Sequence, residues 1–163
     1  MITRKCAISG GPNWVPWTQP VLSADGTLGG ASFAVSGKNY MNIDSPHYYY
    51  LAVDGNDSTY WASYTTPAGW FEFYSPHPLK IESIRVISTS SNNNIKTGGI
   101  YGSNDGANWT QLLSITSYGG QDTTYTINAV ASYKYFKLDC VSTNATFTFF
   151  SIRNLIITAK YKP

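Results

Sequence analysis

An all-β sandwich or barrel is the fold class this sequence predicts, and two observations carry it. Helical periodicity is absent along nearly the whole chain. In its place, short β-branched and aromatic runs recur, broken by clusters of Gly, Pro, Asn and Asp. The chain is also long enough, at 163 residues, to bury about 70 % of its unfolded surface in one domain without a disulfide scaffold.

The opening stretch, GGPNWVPWTQPVLSADGTLGG, is too rich in Pro and Gly for a long regular element. Residues 1–30 are expected to wrap the sandwich edge, with Trp14 and Trp17 packed down as anchors. The run ASFAV (31–35) predicts the first strand, and YYYLAV (48–53) the second, ending at the turn residues Asp54 and Gly55. WFEFY (70–74), rich in aromatic residues, predicts the third strand. In LKIESIRVIST (79–89) the apolar parity shifts between Ile81 and Ile84, which predicts a β-bulge. GGIYG (98–102) and TQLLSIT (110–116) flank the turn SNDGANW and read as paired strands. TTYTIN (123–128), YKYFKLDCV (133–141) and IRNLIITAKY (152–161) complete the set. The chain reads as a single domain over 1–163, with no internal repeat and no linker. Two long polar segments, 36–46 and 88–97, are read as surface loops, the place where such scaffolds carry function.

Charged residues make up 12 % of the chain, against about 25 % in a typical globular protein, so Ser, Thr, Asn, Gly and Tyr must supply the surface. Such a surface hydrogen-bonds and stacks, and it suits an exposed protein better than a cytosolic enzyme. The net charge is +2 with the basic residues scattered, which excludes the basic stripe of a nucleic-acid binder. The segment MITRKCAISGGPNW has no apolar run, so it is read as neither signal peptide nor membrane span. Phe136, Leu138 and Cys140 fall on one face of their strand, which makes Cys140 a buried thiol; a bridge to Cys6 is the alternative.

Catalytic groupings are missing. Glu72 and Glu82 both fall in predicted strands and offer no carboxyl pair across a cleft. No nucleophile elbow or phosphate-cradling loop occurs. His77, between two prolines, reads as a surface residue. The stretch DGNDSTYW (54–61) lacks the twelfth-position glutamate and sixth-position glycine of an EF-hand. It reads as a turn closed by Asp and Asn side chains, with Trp61 as core behind it. Trp109 is likewise expected in the core.

AVDGNDSTYW, then IYGSNDGANWTQL, then YKYFKLDCV with IRNLIITA resemble, in this order and spacing, the discoidin domain. That family is also called the coagulation-factor type C domain, and it includes galactose-binding-like carbohydrate-binding modules. The likeness covers roughly residues 20 to 161, and GSNDGANW is its most specific element. PWTQPVLSADGTLGG, AGWFEFYSPHPLKI and ITAKY resemble, more loosely, discoidin-type domains of bacteriophage and prophage tail proteins. The resemblance implies an eight-stranded jelly-roll β-sandwich with its ligand among loops at one end.

It also implies a non-catalytic carbohydrate-binding module that attaches a virion or other extracellular surface to a glycan or cell-surface polysaccharide. A structural or assembly domain contacting other virion subunits is the alternative, and a polysaccharide-cleaving enzyme ranks below both. The ligand loops carried over are 36–47, 62–69, 88–97 and 142–149. Within them Tyr40, Tyr64 and Phe147 are the stacking candidates, and Asn42, His47, Asn93, Asn94 and Lys96 the hydrogen-bonding ones. Relatives place an arginine near the central loop, where this chain has Lys96, which makes no bidentate fork. For the DGNDST turn, the resemblance adds a structural calcium ion (Ca2+) as a second reading, with Asp54, Asp57 and Thr59 as ligands. Asn154 stands where the family has an acid, which removes one charge from that set.

Overall fold

A computed structural model of the chain describes residues 13–38, 48–63, 68–117, 119–144 and 149–163. Ten antiparallel strands form it: β1 (Val15–Trp17), β2 (Ala34–Gly37), β3 (Trp61–Ala62), β4 (Gly69–Ile87), β5 (Ile95–Ser103), β6 (Thr110–Ile115), β7 (Asp122–Thr126), β8 (Tyr133–Thr143), β9 (Ser151–Ile152) and β10 (Asn154–Tyr161). Eight of them share one continuous ladder, and β3 pairs with β9.

The ladder is continuous because β4 belongs to both layers of a sandwich. Its first half, to Tyr74, pairs with β2 and β8, and β5 and β6 extend that layer. The sequence Ser75-Pro76-His77-Pro78 then turns the corner, since neither proline can donate to a ladder. From Leu79 the strand runs back in the second layer between β10 and β7, with β1 outside β10. The two predicted runs 70–74 and 79–89 are thus one strand bent at its prolines. The predicted bulge is present. Ser83 faces Thr158 while Ile81 faces Ala159, leaving Glu82 unpaired in that ladder, and its carbonyl accepts the Ile127 N–H at 2.8 Å. Both Ile81 and Ile84 therefore point inward.

Between the layers lie Phe71, Phe73, Ile100, Phe136, Leu138 and Cys140 from one side and Ile81, Ile84, Val86, Leu155 and Ile157 from the other. Phe73 stacks on Phe136 at 4.9 Å. Each such side chain contributes about 1.5–3 kcal/mol on burial. Burial also pushes the Cys140 thiol up to about 12, with the Asp139 charge adding to the shift. Cys6 lies outside the described residues.

Three expectations are corrected. Residues 49–52 form a 3-10 helix, Tyr49–Ala52, in place of a strand. The Asp25 carboxylate accepts the Tyr50 N–H at 2.7 Å, and the turn closes through Val53 N–H to Tyr50 C=O, which together override the β-propensity of the tyrosines. The opening segment does more than wrap: β1 adds a strand to β10, and Trp17 packs on Phe33 at 5.5 Å. Trp14 is half-buried, with the ammonium groups of Lys80 and Lys162 over its ring. Trp109 is half-buried on the outer face, where the Lys137 ammonium sits 4.1 Å from its ring. Lys137 points outward because its neighbours Phe136 and Leu138 point in.

Candidate functional site

The roots of the four expected ligand loops converge at one pole of the sandwich. Gly37 and Lys38 lie beside Trp70 through the bond from Lys38 N–H to Trp70 C=O at 2.8 Å. Ser63, at the root of the second loop, is tied to Phe150, at the root of the fourth. Ser63 N–H donates to the Phe150 carbonyl at 2.8 Å, and Phe150 N–H donates to Ser63 Oγ at 3.0 Å. The central loop joins the same pole through Ser88 Oγ, which donates to the Ser151 carbonyl at 2.8 Å, and through the Ile95–Thr143 pairing. Trp61 plugs the sandwich beneath these roots. It is fully buried, with Phe71 at 5.1 Å and Phe150 edge-on at 5.5 Å.

Of the expected ligand contacts, Tyr40, Asn42, His47, Tyr64 and Phe147 lie outside the described residues. Lys96 is exposed at the pole. Asn93 and Asn94 are not exposed, and here the structure corrects the sequence reading. Asn93 is buried and donates to Thr89 Oγ1 at 2.9 Å. Asn94 is fully buried: its amide donates to the Gly120 carbonyl and to Thr123 Oγ1, and its own oxygen accepts the Ile95 N–H. A loop folded over another loop leaves buried backbone groups to satisfy, and the asparagines satisfy them. These bonds brace the central loop from within.

Two contributors escaped the sequence reading. The segment 119–121 is a fifth member of the pole, held by Gln121 Nε2, which donates to the carbonyls of Ser88 and Thr89. An arginine also reaches the central loop, from the far side of the chain. Arg153 Nη2 lies 3.4 Å from the Thr89 carbonyl, and its N–H donates to Ile87 C=O at 2.7 Å. Spacing could not show this, because 64 residues separate Arg153 from Thr89. Asp122 is committed to Arg85 through a two-pronged contact, which holds its carboxyl below the usual range. Lys38, Lys96 and Arg153 then have no carboxylate partner among the described residues, so the pole presents cationic donors.

The DGNDST turn sits beside this pole. Asp54 Oδ1 accepts the Asn56 N–H at 2.9 Å and Asn56 Oδ1 the Ser58 N–H at 3.0 Å, two successive side-chain turns around Gly55 at φ +71°. Thr59 Oγ1 bonds Asp54 Oδ2 at 2.7 Å and the Asn56 carbonyl at 2.8 Å. Asn154 Nδ2 donates to Asp57 Oδ1 at 3.1 Å. The structure thus gathers Asp54 with Thr59, and Asp57 with Asn154. All of the oxygens are hard donors of the kind calcium takes, so the set fits that ion by type. Both Asp54 oxygens and Thr59 Oγ1 are bonded within the turn, and Asp57 Oδ1 is bonded to Asn154 on β10. Among the described residues no three His, Cys, Asp or Glu side chains cluster as a metal site.

The F5/8 type C domain matches residues 36–155. The chain belongs to this family. No curated protein matches it. Among solved structures, a pectin-binding carbohydrate-binding module is 26 % identical, with a TM-score of 0.62 over 76 % of this chain and 88 % of that one. The family 32 module of Clostridium perfringens NanJ, solved with galactose, is 20 % identical, with a TM-score of 0.61 over 78 % and 93 %. Chitosan-binding module 1 from a Paenibacillus sp. IK-5 chitosanase/glucanase is 17 % identical, with a TM-score of 0.64 over 78 % and 96 %. The fold is that of carbohydrate-binding modules. Among the described residues of this F5/8 type C chain, no helix is long and apolar enough to cross a membrane.

Proposed function

We propose that the chain is a non-catalytic glycan-binding module, carried on a phage or prophage tail or another virion surface, that attaches to host polysaccharide through its loop pole. The convergence of five loop roots over the Trp61 plug, with Lys38, Lys96 and Arg153 as cationic donors that have no carboxylate partner among the described residues, carries the reading. Family membership and the likeness to a pectin-binding module support it. Tyr40, Tyr64 and Phe147 stack on the apolar face of a pyranose, while Asn42, His47, Lys96 and Arg153 fix its hydroxyls. Rings supply much contact area at low entropic cost. The two glutamates lie in different layers, Glu72 against Lys137 and Glu82 against Lys160, which suits binding without hydrolysis. In the same reading a calcium ion bound by Asp54, Asp57 and Thr59, with Asn154 beside them, stiffens the corner and takes no part in sugar contact.

A shallow site of this kind binds with a dissociation constant of about 1 mM, and many copies on one particle raise avidity by roughly 10² to 10⁴. A glycan array with the isolated chain tests the proposal. Arg153→Ala and Lys96→Ala should each weaken the best hit about tenfold without unfolding the protein. Retention of full binding by both variants would place the ligand elsewhere. An array without hits from a folded, oligomeric protein would favour the assembly role.

A further inference from the structure

A recess lies where the N-terminal segment crosses the 3-10 helix, just after the first ligand loop. Ser23, Ala24, Asp25, Tyr48 and Tyr50 line it, around a volume of about 330 Å³. That size falls within the range of small-molecule sites, about 300–1,000 Å³. Its two rings lie nearly parallel, 5.7 Å apart at 16°, and make a ledge. Tyr48 keeps 45 % of its surface exposed, while the other large rings among the described residues are buried or half-buried.

The floor is a carboxylate. Asp25 Oδ1 accepts the Tyr50 N–H, which fixes the group in place. Among the described residues no lysine, arginine or histidine pairs with it, and the three ion pairs all lie elsewhere. Burial raises its pKa despite the backbone N–H groups of Tyr50 and Tyr49, so the carboxylate sits in a partly dry place, with no cationic partner among the described residues. A negative group beside aromatic faces attracts a positive ligand twice, through the charge itself and through the rings. Ser23, Ala24 and Asp25 also precede residues 36–155, the span that the family shares. Tyr48 and Tyr50 fall within that span, so the recess is formed jointly by the N-terminal segment and the matched domain.

We propose that the recess is a second carbohydrate subsite, selective for a sugar that carries a free ammonium group. The Tyr48–Tyr50 ledge takes the flat face of the pyranose, and Asp25 takes the ammonium. The proposal rests on the glycan-binding reading, but it uses none of the pole residues.

Calorimetric titration of the full chain with a glucosamine tetramer and with its N-acetylated counterpart tests it, at a pH where the amine is protonated. The unacetylated tetramer should bind at least tenfold tighter. Asp25→Asn keeps an oxygen for the Tyr50 N–H and should erase that preference, while Tyr48→Ala should weaken both sugars. Equal affinity of the two tetramers, or a preference that survives Asp25→Asn, overturns the assignment. So does a lysine peptide that binds as tightly as the amino sugar. Array hits that Arg153→Ala weakens, combined with no amine preference, would leave the pole reading standing and this one refuted. An amine preference without any other array hit would do the reverse.

Discussion

Replacing Gly37 by alanine probes how tightly the loop pole is packed on its plug. A Cβ at this position would lie 2.9 Å from Trp61 Cζ2, 3.1 Å from Trp61 Cε2 and 3.1 Å from the Trp70 carbonyl. The backbone here is ordinary strand, so alanine gains roughly 0.5–1 kcal/mol of propensity over glycine. Overpacking costs about 1–3 kcal/mol, because the indole is wedged between Phe71 and Phe150 and cannot withdraw. The net loss should be about 1–2 kcal/mol, or roughly 2–8 °C in Tm for a domain of this size. Trp61→Phe shortens the ring and removes an indole N–H that is buried without a partner. In that background Gly37→Ala should lose at least half its cost, a coupling of about 1 kcal/mol. Urea unfolding of the two single variants and the double variant measures it. Additivity within about 0.3–0.5 kcal/mol would show that the ring does not set the limit.

Further outcomes separate the other assignments. Trp61→Ala should cost about 3–5 kcal/mol in urea unfolding, and Trp109→Ala well under half of that, because only the first ring is fully enclosed. Calcium at a hundredfold excess over its dissociation constant would add about 2.7 kcal/mol, so midpoints with calcium and with chelator should differ by about 5–10 °C. Identical midpoints would return the DGNDST turn to hydrogen bonds alone. The Asp105 carboxylate is held well below its ordinary 3.8, first by the Asn108 side chain and then by the N–H groups of Asn108 and Ala107 and by Ser103 Oγ. Its folded-state pKa is depressed, so its contribution is complete above pH 3.8 and fades as pH falls through the lower folded value. Carbon-detected NMR should find Asp105 still ionised where exposed aspartates are half protonated; titration with them would refute the turn geometry.

Much of the fold was legible because alternation and turn chemistry act locally. The bulge at Glu82 followed from the spacing of Ile81 and Ile84 alone, and Trp61 as plug from the turn before it. The 3-10 helix at Tyr49–Ala52 was not legible, since its deciding partner, Asp25, lies 25 residues upstream of Tyr50. Trp109 misled for a related reason. The turn before it predicts a fixed ring, but only the partner strand decides whether that ring meets core or Lys137. At the site, the loops could be placed from sequence and the side chains less so. Asn94 is polar and sits in a surface loop, yet Gly120 and Thr123 claim it from another loop. Arg153 reaches Thr89 only because β9 and β10 return to the same pole.

The position of β1 has a mechanical consequence. Val15 faces Tyr161, at the pole opposite the loops, so the chain enters and leaves the sandwich side by side. Tension between the two ends pulls across the hydrogen bonds of β1 and β10, one rung after another, with no shear along them. A three-residue strand with Pro16 at its centre offers few rungs. A load applied there peels β1 first, and the loop pole at the other end, braced by Ser63, Phe150 and Asn94, keeps its shape while the anchorage gives.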